Sequence, residues 1–495
     1  MNSLPQQSKE TLDEPSFSRK WWVLLGIGIG EFMYALDTLI INIALPILER
    51  DLHTSFAAIQ WIPLSYLLTI ASLVLVVGRL GDMWNKKWLY FGGSILFTLG
   101  SLLCTVAPSA GFLIGFRVLQ GVGAAIVSVI GLAIVTEVFP KEERGRALGI
   151  IKGIVLLGVT TGPSVGGLLI GLGGWRLIFW VNVPIGIITS LVVASIFPSG
   201  VSDERFQGFD WLGSLLVMIS LTCFSLAVTL VRPESWFSLA QFILLVLAAI
   251  SLVCFLVLEN QISDPILDLK IFRSLLLSLS LLLSWMVFIV RVGITLILPF
   301  FLELVKNYPP LQAGLLMAVG PIFAALIAPI AGSLSDRFGV RPIALIGLVL
   351  MAIGCFSIST FDSELTILGY ILRTFPLALG TGIFYPSNQS AVMGAVPSER
   401  LGIASGLLSL SQTLGGITGL AFIGTIFALL TSASAKLVSH IELTNAPIEA
   451  LVFGVQTTFR IIAPILMVAA VLTAFLWWLE QRKELSSQEK VLPFA

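Results

Sequence analysis

The chain has 495 residues, 57% of them hydrophobic and only 11% charged, where a soluble domain carries about a quarter charged residues. No water-soluble fold hides so much apolar side chain, so a soluble enzyme and a nucleic-acid binder are excluded. The 28 basic residues balance 28 acidic ones, and net charge gives no argument for a polyanionic partner. The composition is that of an integral membrane protein.

Residues 1–20 are polar and read as a cytoplasmic tail, with Arg19 and Lys20 just before the first apolar run. That run, from Trp21 to about Leu45, is far longer than the roughly 7–15 residues of a signal-peptide core and reads as a retained span. With about 20 apolar residues needed per crossing, helices are expected near 21–46, 58–78, 88–107, 111–136, 146–171 and 177–197. Two follow near 211–231 and 236–258, and six near 274–302, 312–333, 342–360, 364–392, 402–431 and 457–480. The expected fold is therefore an all-α membrane protein of 14 transmembrane helices. It divides into a six-helix bundle over 21–197, a linker over 198–273 that carries two inserted helices, a second bundle over 274–480, and a cytoplasmic tail over 481–495.

Basic residues test that count, because Lys and Arg are enriched in cytoplasmic loops. With the N-terminus inside, eighteen basic residues fall in inside segments against five outside (Arg50, Arg176, Arg232, Lys306, Lys436). An even number of spans puts both termini in the cytoplasm. The four cysteines (Cys104, Cys223, Cys254, Cys355) lie inside apolar runs without metal-site spacing, so no disulfide and no metal site is expected. His53 and His440 fall in loops and read as solvated.

The loop after the second helix reads GRLGDMWNKK (78–87), and that after the tenth reads GSLSDRFGVR (332–341). Gly78/Gly332, Leu80/Leu334, Asp82/Asp336 and Lys87/Arg341 coincide. A membrane arginine follows each loop (Arg117, Arg373), and then a Pro-containing loop with acidic and basic residues, FPKEERGRA (139–147) or VPSERLGIA (396–404). Three matches in order indicate two parallel six-helix repeats with a helix pair between them, an organisation common among transporters.

With these motifs the chain resembles the major facilitator superfamily, and within it the fourteen-helix drug:proton antiporter family. GRLGDMWNKK looks like the superfamily's cytoplasmic loop motif, and RVLQGVGAA (117–125) is similar to its fourth-helix motif. GVTTGPSVGG (158–167) matches the fifth-helix motif associated with antiporters, while ALDTLIINIALP (35–46) and WRLIFWVNVPIG (175–186) resemble stretches of the first helix and the start of the sixth. Met83 and Asn85 depart from the loop motif, which commonly has a basic residue and a glycine there. Asn tolerates left-handed backbone better than most residues, so the turn is expected to survive.

Ionisable residues inside a span are costly and default to functional hypotheses. Asp37 lies nine residues before Pro46, about 13 Å below the outer end of its helix, and Arg117 lies about 9 Å deep. The two can pair if their helices are neighbours, as the resemblance implies, and disturbing the pair would load or release a proton. A static pair that fixes helix register is the plainer reading. Glu31, near the midplane, is a second proton-coupling candidate or a cavity carboxylate. Gln120 and Ser128 follow Arg117 on one helix face and are assigned to the substrate cavity, although such a stripe serves packing as often. Asp37 precedes Asp82 by 45 residues, and Arg291 precedes Asp336 by 45. Arg291 and Arg373 therefore stand as basic cavity residues of the second half, opposite the acids of the first.

Gly158, Gly162 and Gly166 recur at every fourth position with Pro163 and Gly167 among them. Such a face allows close helix approach, and the resemblance implies a tight seal on the outer route. Gly78, Arg79, Asp82, Lys86, Lys87, Asp336 and Arg341 form the expected cytoplasmic gate, clamping the halves in the outward-facing state through charges and helix ends; setting topology is the bland alternative.

No nucleotide-binding loop G-x-x-x-x-G-K-[ST] occurs, and no cofactor is expected; an ion gradient supplies the drive. The expected function is a proton-coupled antiporter that exports small amphipathic compounds by alternating access, with a bacterial inner membrane as its setting. Its partners are the substrate, protons and the bilayer, with no nucleic acid. A monomer is the expected unit, and an accessory protein of the envelope is left open. The rivals are a dedicated exporter of one metabolite or siderophore-like anion, and a receptor or scaffold that does not transport.

Overall fold

A computed structural model of the chain describes residues 17–197, 211–230, 238–261, 273–397, 401–435 and 443–489. The N-terminal tail to residue 16, much of the linker and residues 398–400 of the 396–404 loop lie outside the described residues, as do Arg232, Lys436 and His440. Among the described residues there is no strand, and 13 helices are long and apolar enough to cross a membrane. A shorter apolar stretch, Leu215–Thr229, supplies the fourteenth. The chain is a multi-pass all-α membrane protein.

In chain order, α1 (Phe17–Ile40) gives way to a 3-10 turn at Asn42–Ala44 and a short α2 (Leu45–Asp51). The first apolar run is thus broken where a continuous helix to residue 46 is expected, because Pro46 has no amide to give a preceding turn and starts a new helix instead. The rest of the first half is α3 (Phe56–Met83), α4 (Lys86–Thr105), α5 (Ala110–Val138), α6 (Lys141–Gly173), a single turn α7 (Leu177–Trp180) and α8 (Asn182–Ile196). The inserted pair is α9 (Trp211–Thr229) and α10 (Leu239–Glu259). The second half is α11 (Leu275–Phe300) with a π-helical extension at Phe301–Val305, α12 (Pro310–Phe338), α13 (Val340–Ile358), α14 (Ile367–Gly394), α15 (Leu401–Ser434) and α16 (Ile448–Glu489). The last helix outruns its expected 457–480 at both ends.

Polar residues between the apolar runs set the turns. Asn85 caps α4, its side chain accepting from the amides of Lys87 and Trp88 at 3.1 and 3.4 Å. Its backbone is extended (φ −62, ψ 111), so the expected left-handed conformation is not used; a side-chain cap replaces it. At the matching place in the second half Gly339 does take φ +91, where a glycine carries no steric cost.

The halves meet through α6 against α12 and α3 against α15, and the inserted pair packs on α3 and α15 at that seam. Closure is confined to one end, called here the distal end, which holds residues 51–56, 105–110 and 305–310. There, one apolar core runs through both halves, from Ile40 and Phe56 to Phe300 and Phe427. The Phe56 ring lies 5.1 Å from that of Phe300 and 5.9 Å from that of Phe427, edge to face in both cases. Glu49 of α2 accepts from the Leu443 amide across the seam at 2.6 Å. Toward the opposite end, called proximal, the cores separate into one cluster of the first half alone and a small one of the second. On α6, Gly145, Gly149 and Gly153 face open space, as does Gly332 on α12. The bundle is sealed distally and parted proximally.

Candidate functional site

Asp37 sits three residues before α1 ends, fully buried among five helices of the first half. Its Oδ2 takes the Arg117 Nη1 at 2.6 Å. Its Oδ1 accepts from Gln120 Nε2 at 2.9 Å and from Asn182 Nδ2 at 2.7 Å. Three donors and no acceptor surround a group that in its ionised form only accepts, and charge-assisted bonds of this length are the strong ones. Arg117 is held in turn: Nη1 also donates to Gln120 Oε1 at 2.7 Å, Nε to the Ile62 carbonyl at 3.4 Å, and the guanidinium lies 3.9 Å from the Tyr66 ring centre. Gln120 donates onward to Ser101 Oγ at 2.7 Å. One carboxylate thereby ties α1 to α3, α4, α5 and α8, although Arg117 Nη2 and Asn182 Oδ1 are buried without a partner among the described residues.

Glu31 is the opposite case. It is 3% exposed, on the same helix, and its Oε1 has no hydrogen-bond partner among the described residues. It points toward α5, where a side chain at Gly131 would begin 3.2 Å from that oxygen. The Tyr90 hydroxyl of α4, also buried beside Gly131, is likewise without a partner. Glu31 therefore does not line the space between the halves as expected. Gln120 is also displaced from that role, since it is fully buried as a link of the ion pair. Ser128 is half-buried and bonds its own helix at the Ala125 carbonyl.

In the second half Arg291 is half-buried midway along α11. Its guanidinium lies 5.2 Å from the Phe288 ring centre and 5.3 Å from that of Tyr385 on α14. Arg373 is not beside it. The Arg373 guanidinium donates to the Thr360 carbonyl at 2.7 Å and lies 3.8 Å from Asp362, both in the turn before α14, and it is partly exposed. Counted from the matched loop aspartates, Arg117 follows Asp82 by 35 residues and Arg373 follows Asp336 by 37. Two residues turn a helix by about 200°, so the two arginines do not share a face.

At the proximal end, Lys86 pairs with Glu137 at 3.2 Å within the first half, and Lys87 lies 5.7 Å from the Trp88 ring. Arg341 pairs with Glu480 at 3.0 Å and donates to Ser280 Oγ at 2.9 Å within the second half, while Asp336 is exposed. Gly78 faces α5, where a side chain at this position would begin 3.9 Å from Val129. The side chains of Arg79 and Asp82 lie outside the described residues. Lys86 and Arg341 pair within their own halves, as a parted end requires. On α6 the glycine face divides. Gly158, Gly162 and Gly166 pack on α1, with Ala35 and the Phe32 carbonyl 2.9 Å from where a Gly158 side chain would begin. Gly167 instead abuts Pro310 of α12, and Gly314 abuts Pro163, so that Ser164 Oγ reaches the Gly314 carbonyl at 3.3 Å. The cross-half seal rests on Pro163, Gly167 and Gly314.

The family profile described as Major Facilitator Superfamily matches residues 27–285 and 281–493. The chain belongs to the Major Facilitator Superfamily. This facilitator is 32% identical over 458 residues to the riboflavin transporter RibZ of Clostridioides difficile (strain 630), covering 92% of this chain and 97% of that one. It is 34% identical over 423 residues to the multidrug resistance protein Stp of Mycobacterium tuberculosis (strain CDC 1551 / Oshkosh), covering 85% and 78%. In fold it is similar to the inward-facing, unoccupied crystal structure of a bacterial homologue of the human lysosomal transporter Spinster, with TM-score 0.66, 19% identity and coverage of 92% and 97%. The family and these relatives are membrane transporters, and no catalytic activity is indicated.

Sequence reasoning did not reach Asn182, Ser101 and Tyr66 as members of the facilitator's ion-pair cluster. A signal was present for Asn182, an amide two residues before Pro184 in the otherwise apolar WRLIFWVNVPIG stretch. Ser101 carried none, because small hydroxyl residues are common in spans.

Proposed function

We propose that this facilitator exports small amphipathic compounds in exchange for protons. The units at 21–197 and 274–480 would alternate between proximally and distally open states around a site between them. The basic-residue bias supports a cytoplasmic proximal end, which makes the state described above inward-facing in a bacterial inner membrane. One observation carries the proton assignment: Glu31 and Asp37 share a helix but not an environment. Asp37 has a donor for each oxygen. A buried carboxyl oxygen without a donor costs least when the group holds a proton, so Glu31 is the carrier and the Asp37–Arg117 pair the frame that moves with it. The membrane potential supplies about 2.3 kcal/mol per charge per 100 mV, enough for substrate gradients above tenfold. No cofactor is needed, and a monomer suffices.

The test is loss of an imposed pH gradient in inside-out vesicles on adding cationic, neutral or anionic compounds. Several unrelated compounds should collapse the gradient with the wild-type chain. Glu31→Gln and Asp37→Asn, each checked for insertion, should abolish the response; an undiminished response in both would refute proton coupling through this cluster. A dedicated exporter is the second reading, favoured by the likeness to a riboflavin transporter along nearly its whole length and by the cation at Arg291. Response to a single compound would select it.

A further inference from the structure

We propose that Arg291, Phe288 and Tyr385 form a binding subsite for planar aromatic anions, which sets the substrate class of the transport reading above and rests on it for its role. Charge is the first ground. Six ion pairs occur among the described residues, and none includes Arg291. The other deep arginine, Arg117, is neutralised by Asp37. Glu31 is turned into the first half toward Gly131. The second half therefore holds a half-buried arginine at membrane depth that enters none of these pairs, and ionisable side chains there default to functional hypotheses and face a bundle interior or a water-filled cavity.

Position is the second ground. Arg291 lies on the turn of α11 that meets the seam: a side chain at Gly416 of α15 would begin 3.5 Å from its neighbour Val292 and 4.0 Å from Leu67 of α3. The third ground is shape. The Phe288 and Tyr385 rings stand edge to face, centres 5.3 Å apart at 67°, and Phe384 extends the group at 5.9 Å from Tyr385. Rings beside the guanidinium hold it by cation–π attraction while leaving its fork of donors to an incoming carboxylate, which it can bind through two parallel bonds. A flat aromatic body on the same molecule would stack against the rings. A lipophilic cation would meet like charge here, with no acid to receive it.

The test uses the full chain, purified in nanodiscs, and three probes on one fluorescent ring system: anthracene-9-carboxylate, its methyl ester and 9-(aminomethyl)anthracene. Equilibrium binding is read by fluorescence anisotropy without any proton gradient. The carboxylate should bind at least tenfold more tightly than the ester, and the amine more weakly than either. Arg291→Gln should level acid and ester, and Arg291→Lys should keep part of the preference. The proposal is overturned if the amine binds best, if none of the three binds, or if folded Arg291→Gln keeps the tenfold preference. Should that variant not fold, the wild-type ranking decides alone. Because no proton movement is measured, failure of proton coupling and failure of this subsite are separate results.

Discussion

Positions 37 and 291 each stand 45 residues ahead of the matching loop aspartate, yet they carry opposite charges in opposite surroundings. Asp37 is sealed, with a donor on every side and no exposure. Arg291 is half-open, with two rings and no acid. Each half keeps six spans and the loop motif in the same order, while the turns and the chemistry at equivalent depth have diverged. The first half is braced internally; in the second, Arg291 enters no ion pair among the described residues. A transporter whose halves must move as rigid units benefits from that division, because the ligand then closes a gap that the protein leaves unfilled.

The sharpest way to break this comparison is to remove each arginine in turn. Arg117→Ala leaves Asp37 buried without its cation, and breaking a buried pair in this way costs about 3–5 kcal/mol. Thermal unfolding of the purified protein should show that loss, and transport should vanish. Asp37→Asn with Arg117→Gln together should recover much of the stability, since neither member then remains an orphan charge. Arg291→Gln should shift stability by less than about 1 kcal/mol, in either direction, because it orphans no partner. Equal losses at both arginines would end the contrast between the two halves.

The two ends of the α6–α12 seam offer the next contrast. Gly314 abuts Pro163 at the distal seal, whereas Gly332 on the same helix faces open space. Gly314→Val should therefore overpack the crossing, at a cost of about 1–3 kcal/mol, and raise maleimide labelling of a Ser164→Cys reporter from the distal side. Gly332→Val should leave labelling unchanged in this state. Labelling that rises equally in both variants would show that the seal is not local to the glycine crossing.

The fourteen crossings, the turn motifs and the Asp37–Arg117 contact were legible in the sequence because they depend on run length, turn residues and depth along a helix. What stayed hidden depends on rotation and on neighbours. Gln120 shares a face with Ser128, but nothing in the chain order says that this face is fully buried against α4 and α1 at Gln120 and only half-buried at Ser128. The break at residues 41–44 lies in an unbroken apolar run, where only Pro46 hints at it. Asn85 was read through the backbone freedom of asparagine, while its side chain, as a cap, decides the turn.

Arg373 is the smallest effect and the most instructive, because the repeat places it beside Arg117 in the alignment of the halves. If its role matched that of Arg117, Arg373→Gln would be crippling. Its guanidinium instead lies 3.8 Å from an exposed Asp362, with both side chains at least a third open to solvent. Such pairs are worth about 0–1 kcal/mol, screened further by salt. Arg373→Gln should consequently melt within about 1 kcal/mol of the wild-type chain and transport within about twofold. The bond to the Thr360 carbonyl is the one contact that water must replace. A loss as large as that of Arg117→Ala would mean that the two halves use their fourth helices alike after all, and that the two-residue offset between Arg117 and Arg373 is absorbed during the transport cycle.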